Sequence, residues 1–385
     1  MIVAVPRENC PGERRVALVP ASIPPLVKAG MEVVIEVGAG ESAGYPDQQY
    51  VEKGAKIAPS REDAFAADIL LQVRAAGTNP QAGHADLERY RRGQVVIGMC
   101  DPLGSPQLAA EMAARGVSLF ALELLPRITR AQSMDVLSSQ ATIAGYRAAL
   151  LAAEALPKMF PMLITAAGTI NAARVLVIGA GVAGLQAIAT AHRLGAAVSA
   201  YDVRPAVKEQ VQSLGAKFVE VPLATAAAEG KGGYAQEMGE EFYRRQRELM
   251  TKTVAENDAV ITTAAVPGKK SPILVTAEMV AGMAPGSVIV DLAAERGGNC
   301  ELTKPDQKVV TGGVTILGPT NLPAEAAYHA SQMYGKNIST FLLNLVQDKQ
   351  LQINLDDEII RDTLISRDGQ VVNPRIQQLL GTGAS

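Results

Sequence analysis

Val175-Leu176-Val177-Ile178 runs without a break into Gly179-Ala180-Gly181-Val182-Ala183-Gly184, and a helical pattern continues from Leu185 to Leu194. A short buried strand, a turn with three spaced glycines and a helix, in that order, admit few folds. The first glycine permits the tight turn, the second lets a pyrophosphate approach the backbone, and the third lets helix and strand pack closely. The helix start offers unpaired N–H groups and partial positive charge to phosphate. A glycine triad alone is weak evidence, but Asp202 ends the next strand 23 positions beyond Gly179, where a carboxylate meets adenosine ribose hydroxyls. Asp202 also favours NAD(H) over NADP(H). A phosphate on that ribose would set like charges roughly 4 Å apart, costing up to about 4 kcal/mol at an effective dielectric near 20. Arg204, two residues on, would offset part of this.

The rest of the chain repeats the strand and helix alternation. Ile2–Val5, Val33–Val37, Ile69–Val73, Val95–Met99 and Val117–Ala121 read as strands, with helices around Ser22–Ala29, Asp47–Lys53 and Gln107–Arg115. Gly38-Ala39-Gly40 lacks a third glycine at the right place and reads as a tight turn. Leu137–Leu156 is a long helix rich in Ala and Ser. Val175–Ile178, Ala197–Tyr201, Lys217–Glu220, Ala259–Thr262, Ser287–Asp291 and Val314–Leu317 supply the six strands of a complete dinucleotide-binding fold. A helix over Tyr328–Leu345 follows, then two short segments joined by a hairpin-type turn at Arg367-Asp368-Gly369. That tail is too small to fold alone and is expected to pack back on the N-terminal domain. The expectation is an α/β protein of two Rossmann-like, doubly wound parallel-sheet domains: a discontinuous one over 1–138 plus 326–385, and the nucleotide-binding one over 139–325.

Composition narrows the classes. A chain of 385 residues is too long for one core, and 48% hydrophobic with 19% charged residues is a globular profile. A net charge of -3 leaves no electrostatic footprint for nucleic acid. Cys10, Cys100 and Cys300 are far apart and match neither metal spacing nor a disulfide framework, so no metal is expected and a reducing compartment fits. No run of 18 apolar residues exists, so any membrane connection has to come through a partner. The first residues, Met-Ile-Val-Ala-Val-Pro, read as a strand with no signal core.

A polar loop, Pro126 to Asp135, lies between the strand near residue 120 and the long helix, and gathers arginines, an amide, hydroxyls and a carboxylate. Its sequence, Arg127-Ile-Thr-Arg-Ala-Gln-Ser-Met-Asp-Val-Leu-Ser-Ser-Gln140 with Ala144-Gly-Tyr-Arg147, closely resembles the signature of the NAD(H)-binding component of proton-translocating transhydrogenases. Thr165-Ala-Ala-Gly-Thr169, Lys208-Glu-Gln210, Gly232-Gly-Tyr-Ala-Gln-Glu-Met-Gly239 and Gly297-Gly-Asn-Cys300 resemble it too, so the likeness covers essentially the whole chain. The resemblance implies the Si-type hydride-donor subunit, a homodimer that binds NADH, with NADP⁺ on a partner subunit and proton movement through a membrane-spanning subunit. It places the chain on the cytoplasmic face of the bacterial inner membrane.

Carried over by resemblance, Gln132 meets the nicotinamide side, Arg127 and Asp135 form an ion pair that shapes the loop, and Ser138 contacts the carboxamide. Ile128, Thr129, Ser133 and Met134 complete the loop's contacts. In the glycine turn the contacts are Gly179, Ala180, Gly181, Val182 and Gly184. Asp202, Val203 and Arg204 line the adenosine ribose, and Gly233, Tyr234, Gln246 and Ala265 are further nucleotide contacts, Tyr234 within a lid.

The chain is also similar to alanine dehydrogenase, through Val5-Pro-Arg-Glu8, Arg15-Val-Ala17 and Val37-Gly-Ala-Gly40. That family uses a lysine after the Ile69–Val73 strand and a histidine after Val95–Met99, and the matching positions here are Arg74 and Asp101. Arginine stays protonated and cannot shuttle the proton that amine oxidation requires. His84, His192 and His329 read as surface or packing residues. A non-catalytic NAD sensor is the reading from a different class, and the intact Arg127–Asp135 loop weighs against it.

Overall fold

The protein, seen here as a computed structural model, is described over residues 1–80, 82–220, 240–265 and 268–381. It divides into two compact units, Met1–Gln140 with Pro323–Ser385, and Ala141–Leu322. The long helix Val136–Ala155 carries the chain from the first into the second. The first unit opens with strands β1 (Ile2–Val5), β2 (Glu32–Glu36), β3 (Lys56–Ala58), β4 (Ile69–Arg74), β5 (Val95–Met99) and β6 (Ser118–Ala121). The second holds a hairpin, β7 (Leu163–Thr165) and β8 (Gly168–Ile170), then β9 (Arg174–Ile178), β10 (Ala197–Tyr201), β11 (Lys217–Val219), β12 (Ala259–Thr262), β13 (Val288–Asp291), β14 (Lys308–Thr311) and β15 (Val314–Leu317). Back in the first unit come the helix Ala327–Asn344, a small ribbon of β16 (Val346–Gln347) and β17 (Gln350–Leu351), the short helix Glu358–Thr363, β18 (Leu364–Arg367) and β19 (Gln370–Val371).

Both units are built on one plan. In the first sheet β3-β2-β1-β4-β5-β6 are parallel neighbours, and in the second β11-β10-β9-β12-β13-β15 are. Numbered along each unit, that is the 3-2-1-4-5-6 order of a doubly wound dinucleotide fold. Each sheet is then extended at its far edge by antiparallel strands: β18 pairs with β6, and β14 with β15. Two-residue periodicity explains the double winding. Val3, Val5, Val33, Ile35, Ile69 and Leu71 enter one core, while Ala4, Leu70 and Val96 enter another on the opposite face. In the second sheet Val175, Val177 and Ile261 face one core, and Leu176, Ile178 and Val260 the other. A strand buried on both faces needs helices on both sides, and the intervening helices supply them.

The returning tail completes the first unit. β18 and β19 turn through Asp368 and Gly369, both with positive φ (52° and 88°), as a two-residue hairpin loop with right-handed twist requires. The edge strand β14, the three-residue β3 and the β7–β8 hairpin are additions to the expected strands. No helix among the described residues is long and apolar enough to cross a membrane.

Candidate functional site

In each sheet the crevice for a ligand lies beyond the carboxyl ends of the strands, where the order reverses: between β1 and β4 in the first unit, and between β9 and β12 in the second. β9 ends in Gly179, at φ +98°, where a β-carbon would come 2.6 Å from Thr263 Oγ1 beyond β12. Gly184, in the first turn of the helix Val182–Arg193, lies against the Gly179 carbonyl. The fold itself therefore requires glycine at 179 and 184. Gly181 differs. Its φ is -78°, open to any residue, and a β-carbon there would meet no atom of the described residues within 4 Å. Among the described residues nothing requires glycine at 181 by packing. A group lying against the bare backbone at the helix start supplies a reason, and a pyrophosphate fits it in shape and charge.

Asp202 follows β10 and faces this turn. Its Oδ2 accepts from the Ala180 N–H at 2.7 Å and from an Arg204 terminal nitrogen at 2.8 Å, and its Oδ1 accepts from the Arg204 backbone N–H and Nε, both at 2.9 Å. Four donors fill the roughly four lone-pair positions of a carboxylate. A ribose hydroxyl reaching Asp202 would thus take a place now held by Arg204. Val203 packs with the core behind β10.

Gln246, on the helix Glu240–Ala255, is buried and donates its amide to the Tyr201 hydroxyl at 2.7 Å. Ala265 is exposed, just after a segment gripped by Asn299, whose side chain accepts from Ala264 N–H at 2.9 Å and donates to the Ala264 and Pro272 carbonyls at 2.8 Å. Asn299 is placed in turn by Asp291, fully buried, whose carboxylate accepts from Thr262, Ala293, Asn299, Cys300 and Thr303. Asp291 and Asn299 are site-shaping residues that residue-by-residue reading misses. Their signal is the pair Gly297-Gly298, with φ of 94° and 82°, where a β-carbon on Gly298 would press on the Asp291 carboxylate at 2.7 Å. Gly233 and Tyr234 lie outside the described residues.

The loop from Arg127 to Asp135 belongs to the first unit. Thr129–Met134 forms a tight helical turn pinned by buried Ala131 and Met134, while Arg127, Thr129, Arg130, Gln132 and Ser133 are exposed. Ile128 packs against the core from the loop's start. Asp135 caps the long helix: its Oδ1 accepts from the Ser138 N–H at 2.9 Å and its Oδ2 from the Ser138 hydroxyl at 2.6 Å.

The first unit's own crevice is filled from within. Glu8, just after β1, turns its carboxyl inward and accepts from the Val73 and Arg74 N–H groups at 2.6 and 3.2 Å. Burial, helped by the Glu13 charge, pushes its pKa up to about 8. Burial alone would raise Glu13 too, but Arg15 and Arg74 outweigh it and hold that carboxyl at about 2. Glu13 lies 2.6 Å from an Arg15 nitrogen and 3.1 Å from Arg74 Nε, and Arg15 also donates to Gln140 at 2.9 Å. Asp101, at φ +44°, donates its N–H to the Glu123 carboxylate, as Cys100 does. Arg74 stays protonated and cannot relay a proton as a lysine in its place could.

Sequence models for two domains match this chain: the alanine dehydrogenase/PNT N-terminal domain over residues 4–144 and the alanine dehydrogenase/PNT C-terminal domain over 148–374. A Rhodospirillum rubrum protein, the first section of that organism's NAD(P) transhydrogenase subunit alpha, is 47% identical over 388 residues, covering all of both chains. The solved transhydrogenase from Sinorhizobium meliloti superposes with a TM-score of 0.86 at 46% identity, over 97% of this chain and 100% of that one. A solved L-alanine dehydrogenase gives 0.81 at 26% identity, over 99% of both. The chain belongs to the alanine dehydrogenase/PNT family, in which NAD(P) transhydrogenase subunit alpha is its near relative and alanine dehydrogenase a more distant one.

Proposed function

We propose that this chain is the NAD(H)-binding subunit of a proton-translocating transhydrogenase. In this reading a hydride passes directly from NADH held by the second unit to NADP⁺ held by a partner subunit, and a membrane-spanning subunit couples that step to proton movement. The observation that carries it is Gly181, a glycine at a helix start that no contact among the described residues requires, beside the Asp202 carboxylate. NADH, when bound, supplies the hydride. The chain's own role is to hold and orient it: the helix start at Gly181 and Val182 receives the pyrophosphate, and Asp202 with Val203 and Arg204 takes the adenosine ribose. Ser138, whose hydroxyl donates a hydrogen bond to Asp135, contacts the carboxamide.

Gln132 and Arg127, exposed on a pinned turn, face outward toward the acceptor, with Arg127 and Asp135 shaping the turn. Hydride exchange between two nicotinamides moves no substrate proton, so proximity and orientation do the work. The homodimer belongs to this reading and draws support from the β7–β8 hairpin, where Ile164 is 80% and Met162 58% exposed. A two-stranded ribbon carrying bare apolar side chains wants cover, and a second copy provides it. The complex would sit at the cytoplasmic face of the inner membrane, held there by its partners.

The test mixes the chain with an NADP(H)-binding transhydrogenase component and follows reduction of an NADP⁺ analogue by NADH. Exchange that requires both components is expected, with NADH binding by this chain alone. Alanine oxidation by the chain alone would reject the assignment. Absence of exchange at every ratio would favour the redox-sensor reading.

A further inference from the structure

The loop that carries Gln132 packs on the helix Ala327–Asn344 and is held at defined points, and two of the polar holds come from residues more than 200 positions later. Asn337, on the helix Ala327–Asn344, is only 8% exposed and donates its Nδ2 to the Ser133 carbonyl at 2.9 Å. Its Oδ1 is buried and finds no hydrogen-bond partner among the described residues, so the side chain's one satisfied bond is the one to the loop. Asp357 caps the helix Glu358–Thr363 through the Ile359 N–H at 2.9 Å and forms a two-pronged ion pair with Arg130, one prong at 2.8 Å. Arg130 holds the Asp357 carboxyl down at about 2. Asn344, two turns beyond Asn337, reaches the same carboxylate.

We infer that Asn337 and Asp357 are positioning residues, a clamp by which the returning C-terminal segment fixes the Arg127–Asp135 loop and so aims Gln132. This rests on the transhydrogenase reading for what the aim is worth, though the clamp itself is a matter of geometry. It also gives the discontinuous domain a purpose: the tail returns to lock the loop. Between these holds lie the buried Ala131 and the exposed Gln132. Small errors in placing reacting groups are costly, on the order of a hundredfold for about 1 Å.

The test uses two near-isosteric changes in the full chain. Asn337→Asp replaces the donor by a carboxylate that repels the Ser133 carbonyl. Asp357→Asn keeps an acceptor for Ile359 and removes the ion pair. With the NADP(H)-binding component and saturating nucleotides, each should lower hydride exchange by roughly tenfold or more, while the Kd of the isolated chain for NADH stays within about twofold. With NADH deuterated at the transferred position, the isotope effect should grow, because transfer itself is slowed. Hydrogen exchange of residues 131–135 in the free chain should speed up. If Asn337→Asp fails to fold, Asp357→Asn, at a half-buried site, decides alone. Unchanged loop exchange in a folded variant overturns the clamp, and so does a loss of rate that merely follows loss of NADH binding. If the unaltered chain shows no hydride transfer, the transhydrogenase reading fails, and loop exchange still judges the clamp.

Discussion

Gly184 lies so close beneath the Gly179 carbonyl that a β-carbon at 184 would sit 1.8 Å from its oxygen, while a β-carbon at Gly181 would touch none of the described residues. The two positions separate what the fold needs from what a ligand needs. Gly184→Ala must push strand and helix apart against backbone, and is expected to cost more than about 3 kcal/mol, beyond the usual range for overpacking. Gly181→Ala sits at a helix N-cap and should change stability by less than about 1 kcal/mol. It should weaken NADH binding by roughly tenfold or more, about 1.4 kcal/mol. Thermal melts and titration calorimetry on both variants check this; a Gly181→Ala variant that binds NADH normally would remove the pyrophosphate from this turn.

Asp202 is expected to set the preference between the two nicotinamide nucleotides, since its carboxylate lies beside the turn with Arg204 folded onto it. Asp202→Ala removes the acceptor for the ribose hydroxyls and frees Arg204 to meet a phosphate. NADH affinity should fall by about 1–3 kcal/mol, the range for losing hydrogen bonds to a charged group, and NADPH affinity should rise. The ratio of the two dissociation constants is the measurement. A ratio that does not move would mean that discrimination resides elsewhere.

Much of this arrangement is legible in the sequence because it is local. β9, its glycine turn and the following helix occupy twenty consecutive positions, Arg174–Arg193, where two-residue and helical periodicities meet at a glycine. What is not legible depends on distant partners. Glu13 meets Arg74 across 61 positions, Asn337 meets Ser133 across 204, and no periodicity reports either. The edge strand β14 escapes because exposure of all its residues but the half-buried Val309 gives it neither a buried run nor clean alternation. Arg204 can be seen two residues from Asp202, but only coordinates show that it saturates the carboxylate.

Buried carboxyls in the first unit make a pH prediction. Glu8, whose ordinary value is 4.5, is pushed up to about 8 by burial first and Glu13 second, and burial pushes Glu123 up to about 7. Between their ordinary and raised values the folded chain holds protons that the unfolded chain has released. Stability should therefore fall as pH rises from about 5 to 8 and level off above. Glu13, held at about 2, acts the other way and only in acid: its contribution is present above its ordinary value and is lost as pH falls toward 2. Glu8→Gln keeps an acceptor for Val73 without the titration. Its melting temperature should vary less than that of the unaltered chain between pH 5 and 8, with a gain of several °C at pH 8, at about 2–4 °C per kcal/mol for a domain of this size. Parallel melting curves for the two proteins would refute the assignment.

The β7–β8 hairpin offers the clearest test of self-association. Its strands are three residues each, and Ile164, Met162 and Ile170 stay exposed on it, with Met159 exposed just before. A ribbon of that size is marginal on its own, so what keeps those side chains dry should be another molecule, and in a homodimer it is the second copy. Ile164→Lys alters no core contact within the chain, because the side chain is already bare. Stability of the isolated chain should change by no more than about 0.5 kcal/mol, as for other surface changes. A buried lysine at an interface, by contrast, loses its hydration without a partner, at a cost of several kcal/mol. Sedimentation velocity should show a dimer for the unaltered chain and a monomer for Ile164→Lys at micromolar concentration, with NADH still bound by both. A variant that sediments as the dimer would place the subunit contact somewhere other than this hairpin.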